Sequence, residues 1–122
     1  MTTVRFPDMR LEVIAALRAL ADPEQQRSWG KVEDGVTHYD DLTLNVHVLY
    51  DDCQVLPDPS GRIGSVLVSG EVAALRAVHD ALNPLLDDLG GKPDADYLTD
   101  PRWATVLAAS AEALRVMAAA EQ

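Results

Sequence analysis

The side chains best suited to chemistry gather in one stretch: His47, Asp51 and Asp52, with His38 and Asp40 just upstream. An imidazole beside carboxylates is a donor set that zinc and other transition metals accept. His47 and Asp51 are four residues apart, so they share a face if the segment is helical. One reading is therefore a metal-dependent enzyme built on His47, Asp51 and Asp52. Against it, the paired-histidine motif His-Glu-x-x-His is absent. The plainer reading makes the aspartates helix caps and gives His47 a neighbouring carboxylate as partner. Nucleophilic devices are poorer still. No Gly-x-Ser-x-Gly elbow occurs, and Cys53 follows two aspartates whose charge disfavours a thiolate. Gly61-Arg62-Ile63-Gly64 is neither a phosphate loop nor a dinucleotide fingerprint and reads as a turn. These residues predict no enzyme, no catalytic residue, no resident metal and no cofactor.

The same stretch is acidic. Glu33, Asp34, Asp40, Asp41, Asp51, Asp52 and Asp58 place seven carboxylates between residues 33 and 58, with Lys31 and Arg62 the nearest cations along the chain. If these loops converge, Asp40, Asp41, Asp51, Asp52 and Asp58 form a patch for a basic protein partner, such as the substrate groove of a nucleic-acid enzyme. The formal charge of the whole chain is −10 and its pI is about 4.5. That balance argues against nucleic acid, whose phosphates are held by Lys and Arg, and against an anionic membrane surface. It also serves the plain end of solubility. One cysteine excludes an intrachain disulfide and fits a reducing cytoplasm. No run reaches the roughly 18 apolar residues of a membrane span, and Met1 to Pro7 lacks the features of a signal peptide.

The elements that must position these groups follow from periodicity. With 122 residues, a single domain spanning 1–122 is expected. Only 5% of the chain is aromatic, so the core must be Leu, Val and Ala. Pro7 and Asp8 open a helix to Ala21 with a stripe at Val13, Ile14, Leu17, Leu20 and Ala21, leaving Arg10, Glu12 and Arg18 mostly off it. Asp22 caps a short helix to Ser28 or Trp29, where Gly30 stops it and Trp29 anchors in the core. Gly30 to Tyr39 reads as a loop, with a turn signal at Asp34-Gly35 and a poor strand at Lys31 to Glu33. Asp51 to Gly61, with Pro57, Pro59 and Gly61, predicts an exposed irregular loop. Ser69 is placed to cap a helix through Val72, Leu75, Val78, Leu82, Leu85, Leu86 and Leu89, kinked or restarted by Pro84 and ended by Gly90-Gly91. Asp94 to Leu98 makes a short turn of helix. Asp100-Pro101 opens the last helix, whose face is Trp103, Val106, Leu107, Ser110, Leu114 and Met117 before a frayed Glu121-Gln122.

The central run from Leu42 to Tyr50 is ambiguous. Leu42, Leu44, Val46, Val48 and Tyr50 alternate as in a strand, which would pair with Arg62 to Val68. Leu42, Val46, Leu49 and Tyr50 equally form a helical face capped by Asp41. Several phrases bear on the choice: Leu20-Ala21-Asp22-Pro23-Glu24 leading to Trp29, Tyr39-Asp40-Asp41-Leu42, Val46-His47 leading to Asp51-Asp52, Asp58-Pro59, Ile63-Gly64, Tyr97-Leu98 and Pro101-Arg102-Trp103. Together these resemble a family of small, cytosolic, mostly actinobacterial proteins of unassigned activity. In that family the central segment carries an aromatic on each side of the Leu49 position, where this chain has Val48 and Tyr50, and often Thr at the Cys53 position. The resemblance implies a helix there, capped by Asp41, and supplies no catalytic residue. Some relatives resemble immunity proteins of contact-dependent or polymorphic toxin systems, which implies a partner that is a toxin domain.

The expected fold is mainly α, with five or six helices. The alternative is α+β, with one hairpin at 42–50 and 62–68. The expected function is a non-catalytic acidic protein-binding module of the immunity type. A third reading is a helical scaffold forming a homodimer through its alanine-rich last helix.

Overall fold

The computed structural model of the chain describes residues 4–27, 29, 32–33, 36–37 and 41–120. Gly30, Asp34-Gly35, His38, Asp40 and Glu121-Gln122, which figure in the sequence reading, lie outside the described residues, as does the side chain of Asp41. Within that range six α-helices carry the architecture: α1 (Pro7–Ala21), α2 (Pro23–Gln26), α3 (Asp41–His47), α4 (Val72–Leu89), α5 (Asp94–Leu98) and α6 (Trp103–Ala120). The fold is mainly α, as expected. α6 packs along both α1 and α4, and α3 lies against α1.

Local chemistry explains most boundaries. Pro7 sits in the first turn of α1 with Asp8 beside it, as the helix dipole favours. Asp22 caps α2 by accepting from the N–H groups of Glu24 (3.0 Å) and Gln25 (3.4 Å). α2 ends at Gln26, whose side chain ties it to its neighbours. Its amide donates to the Ala19 and Leu20 carbonyls (2.9 and 3.0 Å), closing the end of α1, and its oxygen accepts from Trp103 Nε1 at 3.0 Å. Trp29 is buried as expected and meets Trp103 edge-on, with ring centroids 6.2 Å apart.

The core stripe of α1 is Val13, Ala16, Leu17, Ala19 and Leu20, but Arg10 is buried with it. This departs from the sequence reading, which placed Arg10 off the stripe. Glu71, wholly buried at the foot of α4, is the cause. Arg10 donates to both Glu71 oxygens (2.7 and 2.5 Å), to the Val66 carbonyl (3.1 Å) and to the Met117 carbonyl (3.5 Å). Glu71 also accepts from the Val68 N–H at 2.9 Å. That contact organises the turn Ser69–Glu71, so Ser69 makes no side-chain cap, contrary to expectation.

The central run is helical. Leu42 and Leu49 are buried, whereas Leu44 is 64% exposed, which a strand with Leu42, Leu44 and Val46 on one face does not allow. The alternative hairpin at 42–50 and 62–68 is not formed; around 62–68 only an isolated bridge pairs Ile63 with Leu67. Gly30 to Tyr39 is not all loop either. Val32–Glu33 (β1) and Val36–Thr37 (β2) form a two-residue antiparallel ladder, Val32 opposite Thr37 and Glu33 opposite Val36. Nor is Asp51 to Gly61 an exposed loop throughout: Cys53, Val55, Leu56 and Pro59 are buried, and Pro59–Arg62 is a 3-10 turn. α4 runs unbroken through Pro84. Pro84 is exposed, so water can take the carbonyl its missing N–H leaves. Gly90, at φ +51°, ends α4.

α6 buries Trp103, Val106, Ser110, Ala113 and Met117. Ser110 Oγ has no hydrogen-bond partner there, and nothing in the structure explains why serine occupies the position. By length and apolar composition α6 is the one helix among the described residues that could cross a membrane. Its outer side carries the Glu112–Arg115 ion pair at 2.5 Å as well as alanines, and charge within a span is costly in hydrocarbon.

Candidate functional site

α3 does not end in a tight α-turn. Val48–Asp52 winds as one π-helical turn, closed by the Cys53 N–H donating to the Val48 carbonyl at 2.9 Å. The wider turn lets Leu49 and Cys53 both face the core, and Leu56 then bonds back to the Leu49 carbonyl at 3.1 Å. Asp51 and Asp52 are left on the outside, exposed. His47 Nδ1 donates to Asp51 Oδ2, both side chains more than half exposed. The sequence-predicted pairing of His47 with Asp51 is therefore present. Asp52 does not join it in a ligand set: among the described residues no three His, Cys, Asp or Glu side chains converge as a metal would require.

The expected Asp41 cap rests on a side chain outside the described residues. Asp41 is the first helical residue, and the Leu42 N–H is taken by Asp94 Oδ2 at 3.3 Å. Asp94 is buried and lies 52 positions away, so α5 caps α3 across the fold.

Asp58 also has a structural task. Its Oδ1 accepts from the Ser60 N–H (3.2 Å) and Ser60 Oγ (2.6 Å), and Arg76 approaches the same oxygen at 3.5 Å. The Ser60 bonds, chiefly, hold the exposed Asp58 carboxyl below the usual range. Cys53 is buried. Burial and then a hydrogen bond to Glu12 push its thiol up to about 12. The sequence reading had the direction right but named the aspartates as cause; burial comes first and Glu12 next, with the Asp52 carboxylate adding to them.

Beyond Asp51 and Asp52 lies an open cleft of about 510 Å³ walled by Tyr50, Gln54, Leu56, Pro57, Asp58 and Arg62. The Tyr50 hydroxyl and His79 Nδ1 share a hydrogen bond at 2.8 Å, and the two rings tilt together at 5.8 Å. Burial pushes the phenol up to about 12, with the carboxylates of Asp80 and Asp87 adding to it. Arg62 is spent on Gln54, donating from Nε to its backbone carbonyl (3.2 Å) and from Nη2 to its side-chain oxygen. Gln54 itself sits at φ +52°. Sequence reasoning missed the Tyr50–His79 pair, for the partners are 29 positions apart and no spacing rule joins them. A second hollow of about 330 Å³ lies between α3, the end of α4 and α5, against Leu42, Val46, Leu86, Asp94 and Tyr97. The Tyr97 hydroxyl donates to the Gly90 carbonyl at 2.5 Å.

Comparison with known proteins adds one finding. The pattern of a family described as a domain of unknown function, DUF7945, matches residues 4–122. No curated protein sequence and no solved structure matches the chain.

Proposed function

We propose, for a chain that belongs to the DUF7945 family, a non-catalytic role: an acidic protein-binding module that docks a basic partner. The observation that carries this reading is the alternation of exposure along one segment. Asp51, Asp52 and Asp58 are exposed, while Cys53, Val55 and Leu56 between them are buried. Three carboxylates are thus presented on backbone that the core holds still, which lowers the ordering cost of docking. The formal charge of −10 extends the attraction beyond contact range. Asp40 and the side chain of Asp41 lie outside the described residues, and their membership of the patch rests on the sequence alone.

The resemblance to immunity proteins of toxin systems supports a finer version. The partner is then a toxin domain with a basic substrate groove, met in the cytoplasm and blocked by occlusion. The test is co-expression with the protein encoded by the neighbouring reading frame, followed by size-exclusion chromatography at low salt. A complex with the wild-type chain that is lost with Asp51→Lys/Asp52→Lys supports the reading. A complex indifferent to that double charge reversal overturns it.

A further inference from the structure

We propose that the cleft beside Tyr50 seats a single cationic side chain of the partner, an arginine by preference, between the Tyr50 ring and the Asp58 carboxylate. The inference rests on the protein-binding reading above and names the point of that face where recognition is centred.

Four observations lead there. The cleft, at about 510 Å³, falls within the roughly 300–1,000 Å³ of binding pockets, yet it is open, which suits a side chain offered by another surface. Tyr50 is a rigid aromatic wall, its hydroxyl held by His79 and its ring half-buried; anchored tyrosines and incoming arginines recur where interface energy concentrates. The surroundings are negative. Asp80 and Asp87 both act on the Tyr50 phenol, and Asp51 and Asp52 follow it on the π-turn. Of the cations beside the cleft, Arg76 is paired with Asp58, while Arg62 is held against Gln54, which is neutral, so its charge offsets part of this attraction. Finally, all the bonds made to Asp58 fall on Oδ1. Among the described residues Oδ2 has no partner, so a guanidinium has an acceptor to meet while its plane lies on the ring.

The experiment follows backbone amide shifts of the labelled full chain during titration with an acetyl-Gly-Arg-Gly-amide peptide and with its uncharged citrulline counterpart. Shifts from the arginine peptide concentrated at 54–62 and 76–80, with the citrulline peptide weaker by about tenfold or more, are the expected result. Asp58→Asn tests the carboxylate without losing the turn, because asparagine keeps the oxygen that caps Ser60. It should weaken the arginine peptide by about tenfold, whereas Asp88→Asn, at a carboxylate paired with Arg102 (2.5 Å), should leave it unchanged. Shifts centred away from Tyr50 and 54–62, or spread evenly over the acidic surface, overturn the cleft while leaving the protein-binding reading standing. No shift with either peptide also overturns it, and the co-expression result then decides the broader reading separately.

Discussion

At the scale of single residues, the fold turns on polar side chains buried with partners far along the chain. Arg10 and Glu71 form a bidentate pair at 2.7 and 2.5 Å with almost no exposure. Removing one partner strands a buried charge. Glu71→Gln should therefore lower the free energy of unfolding by about 3–5 kcal/mol, read by urea denaturation. Arg10→Met with Glu71→Leu should cost less than the sum of the single changes, because neither charge is left alone. Titration makes two further predictions. The Cys53 thiol rises from 9.0 to about 12 on folding and the Tyr50 phenol from 10.0 to about 12. Above pH 9 the unfolded chain loses these protons before the folded one does, so stability should fall as pH climbs from 9 towards 12. Cys53→Ala should shallow that slope, and native Cys53 should react with a thiol reagent only on unfolding. At the acid end, bonds from Arg102 hold the Asp100 carboxyl at about 2, against 3.8 ordinarily. Its contribution is complete above 3.8 and is lost as pH falls towards 2, so Asp100→Asn should flatten the thermal-melting profile there. None of the long-range partners was legible in the sequence. Arg10 and Gln26 look like surface residues until Glu71 and Trp103 arrive from 61 and 77 positions away.

At the scale of elements, local signals carried most of the weight. The limits of α1, the Asp22 cap and the spans of α4 and α5 follow from proline, aspartate and apolar spacing, which act within a turn or two. The central segment did not yield to the same signals, because period two and period 3.6 both fit a run so rich in Leu and Val. What settles it is burial, and a pair of substitutions checks it. Leu44 is 64% exposed on α3, so Leu44→Asp should change stability by no more than about 0.5 kcal/mol. A strand register would bury that residue and make the change severe. Leu49, wholly buried in the π-turn, should cost about 2–5 kcal/mol when cut to alanine. The proline-rich loop misled for a different reason. Proline forbids regular hydrogen bonding but not burial, and Val55, Leu56 and Pro59 all reach the core.

At the scale of the whole molecule, the acidic balance and the mainly α fold were both legible, while the shape of the candidate site was not. The sequence marks Asp51, Asp52 and Asp58 as acidic neighbours, but only the fold sets Tyr50 against His79 and opens a cleft beside Asp58. Charge on this scale has a salt signature: docking driven by exposed carboxylates should weaken steadily as ionic strength rises and the screening length shrinks. The most direct measurement is the calorimetric affinity of the wild-type chain and of Asp51→Lys/Asp52→Lys for the protein encoded next to it, at low and at physiological salt. The account predicts binding that the double reversal weakens by at least about a hundredfold at low salt, with an unchanged melting temperature. Equal affinities for the two proteins, at either salt concentration, would contradict it.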